Sequence, residues 1–444
     1  WIVEPISDTT LYPANYVVSK YVNSGEIKAE QLTEEFFDYV YLGKGELDKV
    51  ISKTKLDKKL VEKIKTDFEY WYPLDINLGG KEHQTVHFPV FIMNHVGIFP
   101  ERFWPKGIFV NWWVVGSGSK ISKSKGGAEP IPGAIEKYGV DGMRLYYAHV
   151  GSPHIDVVWD ELLVKNYSNT ISSILKLSDD LLKTKGEANK NLEKWLVSRI
   201  NSWVYKITKS FDEYNLREAA NAYFEILNDL NWYIKRGGSN TRAAKDALGL
   251  FAQLISPIIP HTSEEIWNKL KNSELVSASK WPEHDEKKID LESEAGEDTI
   301  KKCIEDIRSV LKLSKISKPK KITLFVSENW KYNLFKLLKK QLAVTRDIGQ
   351  IIRTIMKDKS LSKYGGDVAK FVQFAVKDPT RIPVFVLDQD AELETLKGAS
   401  DFIKKEFKVN AEVMKSDESK EVKAKQAIPG RPSILIAWFF LERF

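Results

Sequence analysis

The 444-residue chain holds a single cysteine, Cys303, which excludes an internal disulfide and any zinc site built from several thiolates. A lone thiol suits a reducing compartment, and a cytoplasmic location is expected. No apolar run can cross a bilayer: Ile434–Leu441, near the C-terminus, is far shorter than the roughly 20 residues a spanning helix needs. No signal peptide is read at the start. Neither sign of charge is in large excess. The 67 Lys and Arg against 61 Asp and Glu leave a net charge of +6, which permits a polyanionic partner without demanding one. An opening methionine is absent too; the chain begins at Trp1 inside a patterned segment and is expected to be a piece of something longer. What remains is ordinary globular material, 43% hydrophobic and 29% charged, enough for about two to four domains.

The most informative stretch is Gly116-Ser-Gly-Ser-Lys-Ile-Ser-Lys-Ser-Lys-Gly-Gly127. Glycines at both ends and small hydroxyl residues between lysines predict a loop rather than a strand or helix. Ammonium groups at that spacing are movable point charges able to follow a polyphosphate as its charge redistributes. Composition alone leaves a plain solvated basic linker as the alternative.

Around this stretch the pattern changes along the chain. Ser7 or Asp8 is expected to cap a helix carrying Tyr12, Tyr16 and Val17 on one face, with Pro13 near its first turn. Residues 31–70 predict helices broken at Gly43–Gly45. Tyr70–Leu78 alternates like a strand and leads into Gly79-Gly80, a pairing that brings backbone close to a nucleotide at a strand's end. Glu82 is then placed to accept hydrogen bonds from ribose hydroxyls. His83 and His87 are four apart and are expected on one helix face; the same spacing could be half a metal site, but no third ligand lies close in sequence. His95 is read as a packing residue. Trp104–Asn111 predicts a strand, and Asp141 with Arg144 a surface ion pair.

Leu192–Tyr214, Leu216–Arg236 and Arg242–Ile259 predict long amphipathic helices of an antiparallel bundle, with a turn at Gly237-Gly238. In Pro260-His-Thr-Ser-Glu-Glu-Ile-Trp267, Thr262 or Ser263 reads as a helix cap and Trp267 as core; His261 is not read as catalytic. The acidic stretch Glu283–Glu297 reads as a linker. Beyond it, helices at Thr299–Leu313, Trp330–Val344 and Glu392–Phe407 alternate with strands at Lys321–Val326 and Ile382–Leu387, as in a small α/β domain. Repeated lysine clusters there favour contact with a phosphate backbone.

Lys120–Ser124 (KISKS) resembles the KMSKS loop of class I aminoacyl-tRNA synthetases, with Ile121 at the Met position. Ala134–Tyr147 is similar to the helix that follows that loop in the Leu/Ile/Val/Met subgroup. Gly79–His87 resembles the G-G-x-E-H-x-x-x-H stretch of leucyl-tRNA synthetases, and Pro260–Trp267 resembles a motif of the subgroup's helical bundle. The order and extent of these motifs identify the archaeal type of leucyl-tRNA synthetase as the family most resembled.

The resemblance implies ATP-dependent activation of leucine, with Mg2+ accompanying ATP, and transfer to tRNA-Leu. It implies Lys120 and Lys123 as catalytic. ATP would meet Gly79, Gly80, Glu82, His83, Ile108, Phe109, Ser122 and Ser124, and leucine would meet Ile6, Thr9, Tyr12, His83 and His87. Lys423, Lys425 and Arg431 would contact tRNA; no resident metal and no membrane partner are implied. The expected organisation is the second half of a Rossmann-type catalytic domain with a helical insertion (1–115), a KMSKS-loop module (116–165), an antiparallel helical bundle (166–280), a linker (281–298) and a small C-terminal α/β domain that binds tRNA (299–444). No HIGH-like tetrapeptide occurs in these 444 residues, and by the resemblance that motif and the editing domain would be expected upstream. The chain is therefore expected to carry half an active site, to need an N-terminal half in cis or in trans, and to be inactive alone. A non-catalytic tRNA-binding module, or a portion of an isoleucyl or valyl enzyme, is the alternative.

Overall fold

The computed structural model describes residues 5–116, 119–120, 130–151, 155–187, 189–316 and 319–438. The chain is mostly helical, with small sheets, and divides into two compact units, residues 1–169 with 215–217, and 170–214 with 218–444.

The first unit opens with helix α1 (Pro5–Asn23). Its inner face is Thr10, Ala14, Val17, Val18 and Tyr21, while Tyr12 and Tyr16 lie on the exposed side. The expected grouping of Val17 with both tyrosines is thus corrected, and Pro13 sits inside the helix rather than in its first turn. Short helices α2 (Glu34–Phe37) and α3 (Leu47–Thr54) are separated at Gly43 and Gly45, both with positive φ, as the sequence predicts. Helix α4 (Lys58–Trp71) is capped by Asp57, whose side chain accepts from the Lys59 and Leu60 N–H groups. Its inner residues Val61, Ile64 and Phe68 join Val18, Tyr21, Phe36 and Tyr72 in one core.

The strand expected over Tyr70–Leu78 is much shorter. Phe68 and Tyr72 stack at the helical i, i+4 spacing with centroids 4.6 Å apart, so burial keeps Tyr70 and Trp71 in α4. Strand β1 covers only Asn77–Gly80 and includes the glycine pair itself. Helix α5 (His87–Ile98) follows, then β2 (Ile108–Asn111), parallel to β1: a β–α–β unit. The next strands are β3 (Val114–Gly116) and β4 (Ser119–Lys120), followed by helices α6 (Ile131–Tyr138) and α7 (Val140–Val150) and strand β5 (Val157–Val158). β3 is central between antiparallel β4 and parallel β5. Asp141 is buried in the first turn of α7, not on the helix surface.

His95 is fully buried on α5. Phe91 O can only accept, so the Nδ1 that lies 2.8 Å from it carries the proton, and the Tyr72 hydroxyl 3.3 Å away donates to Nε2. Burial pushes the His95 pKa below its ordinary value near 6.5, with the Phe91 hydrogen bond opposing. The unfolded chain therefore takes up a proton below about pH 6.5 that the folded chain refuses, and stability is lost as pH falls through that value. Thermal unfolding of the protein should show a falling midpoint from pH 7 towards pH 5, with a shallower slope in His95→Gln. An unchanged slope in that variant would assign the loss to other groups.

Helix α8 (Glu161–Lys183) is followed by α9 (Lys190–Asp212), α10 (Leu216–Lys235), α11 (Arg242–Ile255) and α12 (Pro260–Lys269). Small residues Ala219, Ala220, Ala244, Ala247 and Ala252 alternate with Trp195, Tyr223 and Phe251 in the interior. Neither Thr262 nor Ser263 caps α12, which begins at Pro260 without a side-chain cap. Both are buried, and the Ser263 hydroxyl donates 2.6 Å to Ala252 O in α11. Trp267 is half-buried, its indole donating to Glu274 O at 2.9 Å.

The acidic stretch is only partly a connection. Asp290 caps α13 (Leu291–Ser314), whose first turns carry Glu294 and Glu297 against α9 and the end of α10. The final sheet is β7 (Asn410–Lys415), β6 (Pro319–Val326) and β8 (Ser433–Trp438), with β6 central, parallel to β7 and antiparallel to β8. Helices α14 (Asn329–Leu342), α15 (Ile348–Ile355), α16 (Gly365–Lys377), α17 (Gln389–Gly398) and α18 (Ser400–Phe407) complete it. The strand expected at Ile382–Leu387 does not form. Pro383 has no N–H to donate to a ladder, and Val384 is exposed.

Candidate functional site

The β1–α5–β2 unit gathers most of the predicted residues. Gly79 pairs with Val110 and Gly80 with Asn111, while Ile108 and Phe109 face Asn77 and Leu78. A Cβ on Gly79 would lie 2.5 Å from the Phe88 ring, and one on Gly80 would lie 2.5 Å from a Glu82 carboxylate oxygen. Gly79 thus needs bare backbone against the buried Phe88 ring, whereas at Gly80 the exposed Glu82 side chain could swing aside. The Glu82 carboxylate, folded over Gly80, stays exposed.

After Gly80 the chain makes a single 3₁₀ turn, Lys81–Gln84, and α5 starts only at His87. His83 and His87 therefore do not share one helix, as their spacing suggested. Their rings nonetheless meet edge to face, centroids 5.4 Å apart, with Phe88 beside both. His83 Nδ1 is buried without a hydrogen-bond partner among the described residues. An orphaned ring nitrogen of this kind calls for a ligand or an ordered water. Burial first, and the neighbouring His83 second, hold the His87 pKa below its ordinary range. At neutral pH His87 is an uncharged hydrogen-bonding group beside an apolar ring, suited to a polar ligand with an apolar portion.

The α1 residues are placed less simply. The Thr9 hydroxyl turns back to Ile6 O at 3.1 Å, and Tyr12 packs edge to face on Tyr16 at 5.1 Å, both exposed. Thr10 is the residue that ties α1 to α5, accepting from Asn94 Nδ2 at 2.7 Å. Sequence reasoning missed it, although Thr10, Ala14, Val17 and Tyr21 carry a helical spacing that marks the inner face.

Of the lysine run, the structure describes the start. Lys120 lies in β4 opposite Val115, so this part of the predicted loop is a strand. Ser122, Lys123 and Ser124 lie outside the described residues. A further cation was not singled out from sequence: Lys81 Nζ lies 4.1 Å from the centroid of the Trp112 ring.

In the second unit Lys423 and Lys425 are exposed. Arg431 is not a free cation, because its guanidinium makes two 2.7 Å hydrogen bonds to the Asp306 carboxylate of α13. Beside Lys425 lies a groove of about 540 Å³ lined by Trp330, Tyr364, Phe371, Phe374 and Lys370. Buried Lys331 donates to Lys425 O and Ala427 O at 2.7 and 3.0 Å, and the buried Glu392 carboxylate accepts from Gly430 N at 2.8 Å. These contacts, which fix the segment carrying Lys425, leave no local sequence signal.

Residues 193–326, from α9 to β6, match a family model described as the anticodon-binding domain of tRNA ligase. Over nearly its whole length the chain is similar to leucine–tRNA ligases. The Methanocaldococcus jannaschii protein is 36% identical over 445 residues, covering 98% of this chain and 45% of that protein. The Archaeoglobus fulgidus protein is 36% identical over 439 residues, with the same two coverages. The Pyrococcus abyssi protein is 34% identical over 452 residues, 98% of this chain and 46% of that protein. The chain thus spans a little under half the length of these relatives.

Proposed function

Taking as premise that the chain is a homologue of archaeal-type leucyl-tRNA ligases spanning about 45% of their length, we propose that it supplies part of a leucine-activating active site together with surfaces for tRNA-Leu. The observation that carries this reading is the 36% identity to a leucine–tRNA ligase over 98% of the chain. Residues 1–115 are read as the second half of a Rossmann-type catalytic domain, with the β1–α5–β2 unit at its centre. Residues 116–165 are read as the loop module, 166–280 as the bundle, and 299–444 as the C-terminal tRNA-binding domain.

In the proposed reaction the leucine carboxylate attacks the α-phosphate of ATP and pyrophosphate leaves. The adenylate then acylates the terminal ribose of tRNA. The bare backbone at Gly79 and Gly80 admits the nucleotide closely, and Glu82 accepts from its ribose hydroxyls. The backbone of Ile108 and Phe109 meets the adenine edge. His83 offers its unpartnered Nδ1 to the adenylate, and with His87, Ile6, Thr9 and Tyr12 it lines the leucine side. Lys120 and Lys123 strengthen their contact as charge builds on the leaving phosphates, with Ser122 and Ser124 as neutral donors. Mg2+ enters with ATP as part of the substrate. Lys423, Lys425 and Arg431 meet tRNA phosphates, Arg431 from a position held by its two hydrogen bonds to Asp306.

The test is leucine-dependent exchange of pyrophosphate into ATP. It is run on this chain with and without the part of an archaeal leucine–tRNA ligase outside the shared region, with isoleucine and valine as controls. Exchange with leucine only when both parts are present is expected. No exchange with any amino acid, together with retained tRNA-Leu binding, would replace this reading with a non-catalytic tRNA-binding module.

A further inference from the structure

Strands β1 and β2 run parallel, so both end on one edge of their unit, the edge at which α/β sheets receive ligands. Each strand end carries one half of a single contact. Lys81 opens the 3₁₀ turn after β1, and Trp112 is the first residue after β2. The Lys81 ammonium lies 4.1 Å from the centroid of the Trp112 ring, and both side chains are half-buried. At the opposite end of the same strands a lysine is held differently: Lys106, just before β2, pairs with the exposed Asp75 carboxylate at 2.8 Å. Lys81 has no carboxylate within ion-pair distance among the described residues, and the indole face is what its charge meets.

The contact joins two parts of the proposed site. On the Lys81 side the next residues are Glu82, whose carboxylate folds over Gly80, and His83 with its unpartnered Nδ1. The turn that carries them is four residues long, has no side-chain cap, and leaves Glu82 and Gln84 exposed. Few other contacts hold such a turn in place. On the Trp112 side the chain is anchored at once. Trp113 N donates to the Asp156 carboxylate at 3.3 Å, and Trp113 O accepts from Val157 N at 2.8 Å. β3 starts at Val114 and holds Lys120 of β4 opposite Val115.

We propose that Lys81 is a positioning residue for ATP: by standing on Trp112 it fixes the Lys81–Gln84 turn, and Glu82 with it, relative to the strand pair that begins the lysine run. The proposal rests on the functional reading above. In this role Lys81 touches no reacting atom. Glu82 meets the ribose, which is held alike in the bound substrate and in the transition state, so loss of the contact falls on KM for ATP. This separates Lys81 from a lysine that follows the leaving phosphates, whose loss falls on kcat.

The experiment measures leucine-dependent pyrophosphate exchange across ATP concentrations, in this chain joined by its complementary part. Lys81→Met keeps the length of the stem and removes the charge; it should raise KM for ATP on the order of 10-fold and leave kcat within about 2-fold. Trp112→Leu should do the same, and the double variant should be no worse than either single one, because all three lose one contact. Lys81→Arg and Trp112→Phe, which keep a cation and a ring face, should recover most of the loss. Lys106→Met should behave as the parent, and thermal melts that coincide with the parent establish that the variants are folded. A defect in Lys81→Met that Trp112→Leu does not share gives Lys81 a direct role and overturns the proposal. Defects that multiply in the double variant overturn it as well, as does an unchanged KM for ATP in Lys81→Met. A parent that exchanges with no amino acid removes the functional reading and the positioning role together, whereas an active parent with an unaffected Lys81→Met removes the positioning role alone.

Discussion

Replacing Lys123 with alanine, in this chain joined by its complementary part, is expected to slow leucine-dependent pyrophosphate exchange by roughly 100- to 1000-fold, the loss that follows removal of one preorganised electrostatic contact worth about 2.7–4 kcal/mol. The expectation comes from where charge moves in the proposed reaction. ATP arrives with its phosphate charge already balanced in part by Mg2+, and cleavage at the α-phosphate shifts negative charge onto the departing pyrophosphate. A cation that meets the leaving group more closely in the transition state than in the bound substrate lowers the barrier itself, so the deficit falls on kcat rather than on KM for ATP. Lys120 starts the run from a strand held opposite Val115, and Lys123 follows three residues later in sequence. Lys123→Arg should recover only part of the loss, because a planar guanidinium does not reproduce a compact ammonium. Binding of tRNA-Leu, measured by filter retention, should be unchanged, since it draws on many phosphate contacts elsewhere. A normal exchange rate in Lys123→Ala would remove the assignment.

The largest expected effect on stability lies in the second unit, at Glu297. Its carboxylate accepts from Arg236 Nε and Nη2 at 2.9 and 3.0 Å and from the Trp232 indole at 2.8 Å. The Arg236 and Glu297 side chains are only 6% and 8% exposed. Glu297→Ala strands a buried guanidinium and an indole N–H together, and breaking such a pair from one side costs about 3–5 kcal/mol. For a unit of this size that corresponds to a fall on the order of 10 °C in the melting midpoint. The cost comes mostly from the orphaned charge rather than from the lost attraction. The double change Arg236→Met with Glu297→Leu, which removes both charges and keeps the volume apolar, should therefore cost less than Glu297→Ala alone. Denaturant titration of the three variants checks both statements. A single variant that loses less than about 1 kcal/mol would mean the pair is solvated in solution, in the manner of surface ion pairs.

The sequence by itself determined the identity of the elements wherever a strong period or a stop residue was present. The bundle helices and the Gly237-Gly238 turn follow from apolar residues at three and four, because a helix buries whichever face its spacing makes apolar. The break at Gly43–Gly45 follows from residues that tolerate positive φ. Motif spelling pointed to the glycine pair, Glu82, His83 and His87, and the fold places them on one β–α–β unit. Short apolar runs were not decidable in the same way. Tyr70–Leu78 alternates like a strand, yet Phe68 and Tyr72 pack together into the core of the first unit and keep its start helical. Ile382–Leu387 is rich in β-formers, but β7 and β8 occupy the places beside β6 and Pro383 cannot donate. The acidic run reads as solvated until Arg236 and Trp232, some 60 residues earlier, turn Glu297 into an interior residue. Local pattern reports which face of a segment prefers to leave water. Only the tertiary structure decides which distant group waits there, because partners such as Asp306 for Arg431 or Asn94 for Thr10 are set by contacts between elements that no local window contains.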